Sequence, residues 1–336
     1  MKWHLPYRLI GLVLGAFALI WVCLIITGAT PWEAVKEFFV GAVGSKPGWR
    51  DTLKEATPLL IIGVAVFLAL RAGLFNIGAE GQFLVGACAS AVVALNLPGA
   101  IGIILAVLAG IVAGGLWAYP AGLIKAYRGG HEVITTIMLN NIAAFLTTGL
   151  VAGPLKDPDQ QSPTTDLIDA STRLPWLYTD GPLRINLALI LGLLLVAGFA
   201  YWYRRTVAGF EVAAVGANAT AAETAGVMVK RVTVRAMVTS GAIAGFAGAI
   251  QVLAYENRFY AGFSPGYGFD GLGVAILAGA SPLGIIPSAL LFGIIGKGTG
   301  SLQLLGVPKG LSAVLLGLLI IVFAAYRYRR QREHVH

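Results

Sequence analysis

Apolar residues run along this chain in blocks of about twenty, interrupted by short polar or glycine-rich breaks. A helix needs roughly 20 consecutive apolar residues to cross ~30 Å of hydrocarbon. Ten blocks are candidates, at about 9–28, 57–75, 82–97, 99–124, 133–153, 185–203, 232–253, 270–281, 283–299 and 309–326. The second, third, eighth and ninth are short or broken by Gly and Pro. The pattern predicts an all-α, polytopic membrane protein of about ten transmembrane helices, forming a single domain over 1–336. Composition agrees, with 57% hydrophobic and only 12% charged residues, against ~25% charged in an average soluble domain. A soluble globular protein and a disordered chain are both excluded. The first block follows Lys2 and Arg8 but is longer than a 7–15-residue signal core and has no A-x-A site after it. It is expected to be a retained span.

Charge changes the picture from a bundle to an oriented bundle. The net charge of +8 would suggest nucleic acid in a soluble protein. Here it follows from the collection of Lys and Arg in cytoplasmic loops, and no nucleic-acid partner is expected. With the N-terminus inside, ten crossings place 14 of the 24 basic and five of the 16 acidic residues on the cytoplasmic side. Both termini are then expected to be cytoplasmic. Two outer segments are long. Residues 31–56 mix Trp32, Phe38, Phe39 and Trp49 with charges, which suits an amphipathic stretch in contact with membrane lipid. Residues 154–184 carry Asp157, Asp159, Asp166, Asp169 and Asp180 between prolines, and read either as a solvated loop or as a docking surface for an extracytoplasmic partner.

Glycine numbers 44, about twice ordinary usage. Small-xxx-small steps recur at Gly110/Gly114 and Gly241/Gly245, followed by Gly248, and such steps let membrane helices approach closely. An internal echo links Phe75-Asn76-Ile77-Gly78 to Phe269-Asp270-Gly271. It raises the possibility of two related halves with broken helices at matching positions.

Chemistry concentrates in two places. Arg71 to Gln82 sets three glycines, an amide and a carboxylate between two apolar runs. A carboxylate or irregular backbone at membrane depth is tolerated only against protein or a watery cavity. Asn76, Glu80 and Gln82 are therefore candidate pathway or gate residues, the alternative being a structural turn in which Glu80 pairs with Arg71 or caps a helix. Asn140 and Asn141, within a span, are further pathway candidates, or else interhelical hydrogen bonds. Tyr255, Phe259, Tyr260, Phe263, Tyr267 and Phe269 form either an interfacial aromatic belt or a stacking surface for a ring. The second place is the cytoplasmic stretch 204–231. Thr220-x-x-Glu223 has capping-box spacing and Gly226 suits a C-terminal cap. A helix this short needs something to pack on, either its own bundle or the groove of another protein.

No catalytic constellation is present, and no metal site: Cys23 and Cys88 sit in apolar runs, and the four histidines have no ligand spacing. Gly293 to Thr299 contains Gly-Lys-Gly-Thr but fails the phosphate-loop spacing. The chain is expected to be no enzyme, and any ATP hydrolysis to belong to another polypeptide.

The string FNIGAEGQ at 75–82, the step Ser281-Pro282-Leu283-Gly284-Ile285-Ile286 and the stretch 204–231 resemble the permease subunits of bacterial nucleoside ABC importers, relatives of the ribose and simple-sugar permeases. The likeness covers nearly the whole chain. It implies that 209–227 carries the coupling helix that meets a cytoplasmic ATPase, through Gly209, Glu211, Gly216, Asn218, Thr220, Ala221, Ala222, Glu223 and Gly226. Ala213 stands where the family commonly has a basic residue, so the charge for a salt bridge is missing there. The resemblance also implies a sister permease in a heterodimer, ATPase subunits holding ATP and Mg, and an extracytoplasmic substrate-binding lipoprotein, with no cofactor on this chain. Two other readings stand beside it: a simple-sugar ABC permease, and an ion-coupled secondary transporter with Glu80 as its coupling carboxylate.

Overall fold

The computed structural model describes residues 30–178 and 184–305, with 310, 314 and 317. The expected first and last spans, 9–28 and 309–326, lie outside the described residues. So do Cys23, Asp180 and the histidines at 4, 334 and 336. Among the described residues seven helices are long and apolar enough to cross a membrane. Seven of the eight expected spans in this range therefore match helices of spanning length. The eighth, 270–281, is instead a helix of only 12 residues, Tyr267–Ala278.

In chain order the helices are α1 (Pro31–Ala42), α2 (Lys46–Arg71), α3 (Ala79–Asn96), α4 (Gly99–Arg128), α5 (Glu132–Ala152), α6 (Leu187–Arg205), α7 (Val207–Ala217), α8 (Ala219–Thr224), α9 (Val229–Gln251), α10 (Tyr267–Ala278) and α11 (Ile285–Leu302). A π-helical turn, Val252–Glu256, continues α9. The chain divides into two compact units, one holding described residues 30–56 and those from 290 on, the other 57–178 and 184–289.

In the first unit, Lys297 lies within α11 and its ammonium pairs with Asp51 at 2.8 Å. The glycine-lysine string at 293–299 is thus helix interior with its lysine neutralised by a carboxylate. Thr52 donates to the Ala42 carbonyl at 2.8 Å, and a Cβ at Gly298 would meet the Phe38 ring at 2.6 Å. In α1, Trp32 and Phe39 are exposed while Ala34 and Ala42 are buried, as an amphipathic helix requires.

The second unit is built on α3, α4 and α9, and glycine decides how they meet. A Cβ on Gly114 would lie 2.7 Å from the Gly245 Cα, and one on Gly110 would lie 3.0 Å from the Gly245 carbonyl oxygen. On Gly86 it would meet the Gly245 carbonyl oxygen at 2.7 Å, and on Gly248 the Ala87 nitrogen at 2.7 Å. Three backbones touch with no side chain between them, as small-xxx-small steps permit where no hydrophobic drive between helices exists. The buried stretch of α2 runs from Leu59 to Ala69, and Gly63 faces Val274 of α10 and Ile285.

By contrast α4 exposes Ile101, Ile104, Leu108, Val112 and Leu116, and α5 exposes Ile134, Met138, Ile142 and Phe145. Apolar stripes of this extent suit hydrocarbon. At one end of this pair, Gly129 closes α4 in the left-handed region (φ 63°), and Lys125 pairs with Glu132 at 2.8 Å across the turn.

Residues 153–178 and 184–186 are ordered by the π-turn end of α9. Thr165 N donates to the Phe259 carbonyl at 2.8 Å, Ile168 N to Asn257 at 2.9 Å and Leu174 N to Leu253 at 2.9 Å. Two short strands, Trp176–Tyr178 and Ile185–Asn186, pair antiparallel. Asp169 accepts from the N–H and hydroxyl of Ser171, which holds its carboxyl below the ordinary carboxylate range.

Candidate functional site

The broken segment after α2 sits deep in the bundle. Gly73 takes φ 74°, the chain runs without helix to Gly78, and α3 opens with no side-chain cap of its own. Its missing partner comes from α5. Asn140 Oδ1 accepts the Gly81 N–H at 2.8 Å and Asn140 Nδ2 donates to the Ile77 carbonyl at 2.9 Å. One amide thus caps an orphan N–H and an orphan carbonyl across 59 residues of chain. At about 1.5 Å per helical residue, Asn140 lies about 12 Å from the Glu132 end of α5 and about 18 Å from Ala152. The start of α3 therefore lies about two turns in from the Glu132 end of α5.

Asn76 and Gln82 form a reciprocal amide pair. Asn76 Nδ2 donates to Gln82 Oε1 at 2.9 Å, and Gln82 Nε2 to Asn76 Oδ1 at 3.1 Å. Asn76 also donates to Ser240 of α9 at 2.9 Å, and Ser240 passes its own hydrogen to the Ala65 carbonyl at 2.7 Å. Both amides are fully buried and clasp the break to α2 and α9.

Glu80 faces the other way. Its Oε2 accepts the Gly268 N–H at 2.7 Å, and the Ser264 side chain also hydrogen-bonds it. Gly268 is in the first turn of α10, so α3 and α10 begin beside each other at this depth. The residues leading into α10, 257–266, are non-helical, and Phe263 and Tyr267 rest on Phe83 with ring centroids 5.9 and 5.7 Å apart. Irregular backbone this far along the spans lies against protein or a cavity, and here it does both. A cavity of about 250 Å³ is lined by Glu80, Asn140, Asn141, Thr147 and Thr148 on one side and by Phe259, Tyr260, Phe263, Ser264 and Phe269 on the other.

Of the five pathway candidates, three meet at this cavity: Glu80, Asn140 and Asn141. Arg71, an alternative partner for Glu80, instead donates to the Gly279 carbonyl at 2.8 Å and stacks over Phe67. Phe259, Phe263 and Tyr267 are buried as an internal cluster, so they form no interfacial belt. Ser264 and Gly268 were not singled out from sequence. The signal available for them was the run of Gly, Ser and Pro at 262–268 between two apolar blocks.

The two neighbouring amides of α5 separate by experiment. Replacing Asn140 with alanine strands the Gly81 N–H and the Ile77 carbonyl, each costing about 1–3 kcal/mol when buried. We expect Asn140→Ala to lower the thermal midpoint of the purified protein by on the order of 5 °C. Asn141 is exposed and donates to its own helix at Ile137, so Asn141→Ala leaves the midpoint unchanged. Equal midpoints in nanoscale thermal denaturation refute the bridging role of Asn140.

At the Arg128 end, the stretch 204–231 folds as two helices rather than one. Thr206 caps α7 by accepting from Gly209 N at 3.1 Å, and Asn218 caps α8 by accepting from Ala221 N at 3.0 Å. The capping box expected at Thr220/Glu223 does not form. Thr220 is the second residue of α8, because Asn218, two positions earlier, already supplies the side-chain acceptor. Gly226 does close the helix, with φ 87°. Gly226 N reaches the Glu223 carbonyl at 2.9 Å and Val227 N the Ala222 carbonyl at 3.0 Å, the paired bonds of a Schellman motif. Ala222 is buried, whereas Gly216, Asn218, Thr220, Ala221, Glu223 and Gly226 are exposed. Gly209 is packed against Tyr203, and Glu211 lines a cavity of about 260 Å³ together with Arg235. Gly216 seats on the end of α2: a Cβ there would lie 2.8 Å from the Arg71 carbonyl carbon and 3.0 Å from Gly73 N.

Seven helices of spanning length among the described residues, with a helix break between α2 and α3 and the short capped helices α7 and α8, define a polytopic membrane protein. The chain belongs to the family described as the branched-chain amino acid transport system / permease component, which matches residues 50–324. It is 36% identical to the guanosine ABC transporter permease protein NupP of Bacillus subtilis, over 97% of this chain and 94% of that one. It is 34% identical to the nucleoside ABC transporter permease protein NupB of Lactococcus lactis, over 94% and 88%. The glucose ABC transporter permease protein TsgB13 of Haloferax volcanii is 33% identical, over 92% and 84%. No solved structure matches. This is a multi-pass membrane protein and a permease subunit, not an enzyme; the ATPase of such a system is a separate chain. Membership implies work with that ATPase and with a substrate-binding protein.

Proposed function

We propose that this chain is a permease subunit of an ATP-driven importer that moves nucleosides across the cell membrane. The observation that carries the substrate class is the likeness, over nearly the whole chain, to permeases named for nucleosides and guanosine. The cavity at Glu80 fits that reading, since it offers a carboxylate, two amides, two threonines and aromatic rings to a neutral, ring-bearing polar solute.

The basic residues at the α4–α5 turn and the end of α6 (Lys125, Arg128, Arg204 and Arg205) support a cytoplasmic location for that end. Counted as one more crossing, the non-helical run 257–266 together with α10 makes eight, and the expected crossings at 9–28 and 309–326 then return both termini to the same side. The exposed residues of α7 and α8, with Val207, Phe210 and Met228 beside them, form the surface for the ATPase. ATP and Mg belong to that partner. A sister permease covers the open side of the cavity, in a heterodimer, and a lipoprotein delivers the solute to residues 154–184. An ion-driven carrier has no use for a capped ATPase-docking surface.

The glucose permease TsgB13 favours one other reading, a simple-sugar importer with the same mechanics. Uptake of radiolabelled nucleosides into proteoliposomes separates the two. The vesicles hold this chain with its co-purifying permease and ATPase subunits, the binding protein is added outside, and ATP is inside. Guanosine or uridine uptake that requires ATP and is competed by nucleosides but not by ribose or glucose is the expected result. Competition by the sugars instead assigns the chain to sugar import, and gradient-driven uptake without ATP removes the importer assignment.

A further inference from the structure

The cavity that holds Glu80 has an unusual charge balance. Among the described residues no Lys or Arg lines it, and the carboxylate accepts the Gly268 N–H and hydrogen-bonds the Ser264 side chain. Those donors occupy part of a group that accepts about four hydrogen bonds. The remaining capacity faces the cavity, beside Asn140 and Asn141. Such a surface attracts N–H donors and repels both anions and bare acceptors. Phe269, exposed at the cavity, supplies an apolar face against which a planar ring can lie.

Taking the nucleoside reading as its basis, we infer that Glu80 is a specificity-determining residue that reads the base edge. It selects nucleosides whose ring carries an N–H donor, above all those that present a ring N–H and an exocyclic amino group side by side, and it rejects phosphorylated forms. Guanosine offers two parallel donors to one carboxylate, the geometry in which charge-assisted bonds are strongest. Uridine offers one ring N–H. Adenosine and cytidine present a bare ring nitrogen at the corresponding position, which the carboxylate repels. A site built to bond a donor discriminates against an analogue lacking it because its own buried acceptor is left unpaired.

The test compares maximal uptake rates in the ATP-loaded proteoliposomes described above, with each nucleoside at a concentration that saturates the binding protein, so that differences arise in the permease. Wild-type vesicles are expected to move guanosine at least about tenfold faster than 1-methylguanosine or adenosine, as one hydrogen bond to a charged group implies. In Glu80→Gln, which keeps the shape and adds a donor, the guanosine-to-adenosine ratio falls toward one. A merely positioning role for Glu80 lowers both rates in proportion and overturns the inference. Should the variant fail to assemble, the wild-type comparison decides: equal rates for guanosine and 1-methylguanosine overturn it. Transport of sugars with no nucleoside uptake at all refutes the nucleoside reading itself, an outcome distinct from nucleosides moving without discrimination.

Discussion

Gly245→Val is expected to yield no folded, monodisperse protein. Gly245 is where three helices meet: its backbone touches Gly86 of α3 and both Gly110 and Gly114 of α4. Adding atoms to a packed core ordinarily costs about 1–3 kcal/mol because neighbouring side chains shift. Here the neighbours are backbone carbonyls and Cα atoms on two helices, so a whole helix must move. That movement separates α9 from both partners and removes close packing along their length. Size-exclusion chromatography of a fluorescent fusion reads the outcome directly, as loss of the monodisperse peak. Gly149→Ala is the control. That helical glycine has nothing within 4 Å of an added Cβ, so the substitution leaves the peak in place and, through better helix propensity, is neutral or slightly stabilising. A normal peak for Gly245→Val shows that the three-helix contact is looser than described.

Gly216→Val separates assembly from transport. Gly216 lies at the end of α7, and its missing side chain lets that helix sit on the Arg71–Gly73 turn, from which the chain leads into Asn76 and Glu80. This contact joins α7, proposed above to meet the ATPase, to the turn that leads into the helix break. A displacement of α7 is transmitted only if the two backbones stay in register. Valine pushes them apart while leaving the exposed face of α7 and α8 unchanged. The expected result is normal co-purification of the ATPase with at least about tenfold slower uptake, equivalent to 1.4 kcal/mol on the coupled step. Unchanged uptake removes this contact from the coupling path. Loss of ATPase binding shows instead that Gly216 belongs to the docking surface. The proposal rests on a two-state element biased by both sites, which is what coupling requires.

Much of the bundle was legible because spanning is a local property. A run of apolar residues long enough for hydrocarbon declares itself without reference to any neighbour, and within the described range seven such runs are helices. The glycine steps at Gly110/Gly114 and Gly241/Gly245 were readable for a related reason, since their spacing follows the helical repeat. The string at 75–82 stood out because amides and a carboxylate are costly between apolar runs.

The faces of those polar groups were not legible. Asn76, Glu80 and Gln82 lie within seven residues of one another, yet two clasp the bundle and one faces a cavity. Their partners are far along the chain: Ser240 is 164 residues from Asn76 and Gly268 is 188 from Glu80. The same holds for Thr220, whose capping-box spacing was satisfied on paper while Asn218 took the position. Span 270–281 also failed for this reason. Hydropathy records that a segment is apolar, not that the preceding ten residues have already entered the bundle without helix.

What the sequence determined by itself, then, is a polytopic helical membrane protein, its close-packing glycines and the two segments where chemistry collects. Hydropathy, charge and helical spacing act over a few residues and need no partner. Only the tertiary structure decided that α3 and α10 begin beside each other. It likewise decided that Asn140 caps the first of them from α5, that Glu80 lines a cavity, and that Asn76 and Gln82 bond each other. Those outcomes depend on which distant backbone N–H lacks a partner, and inside a membrane every such group must find one.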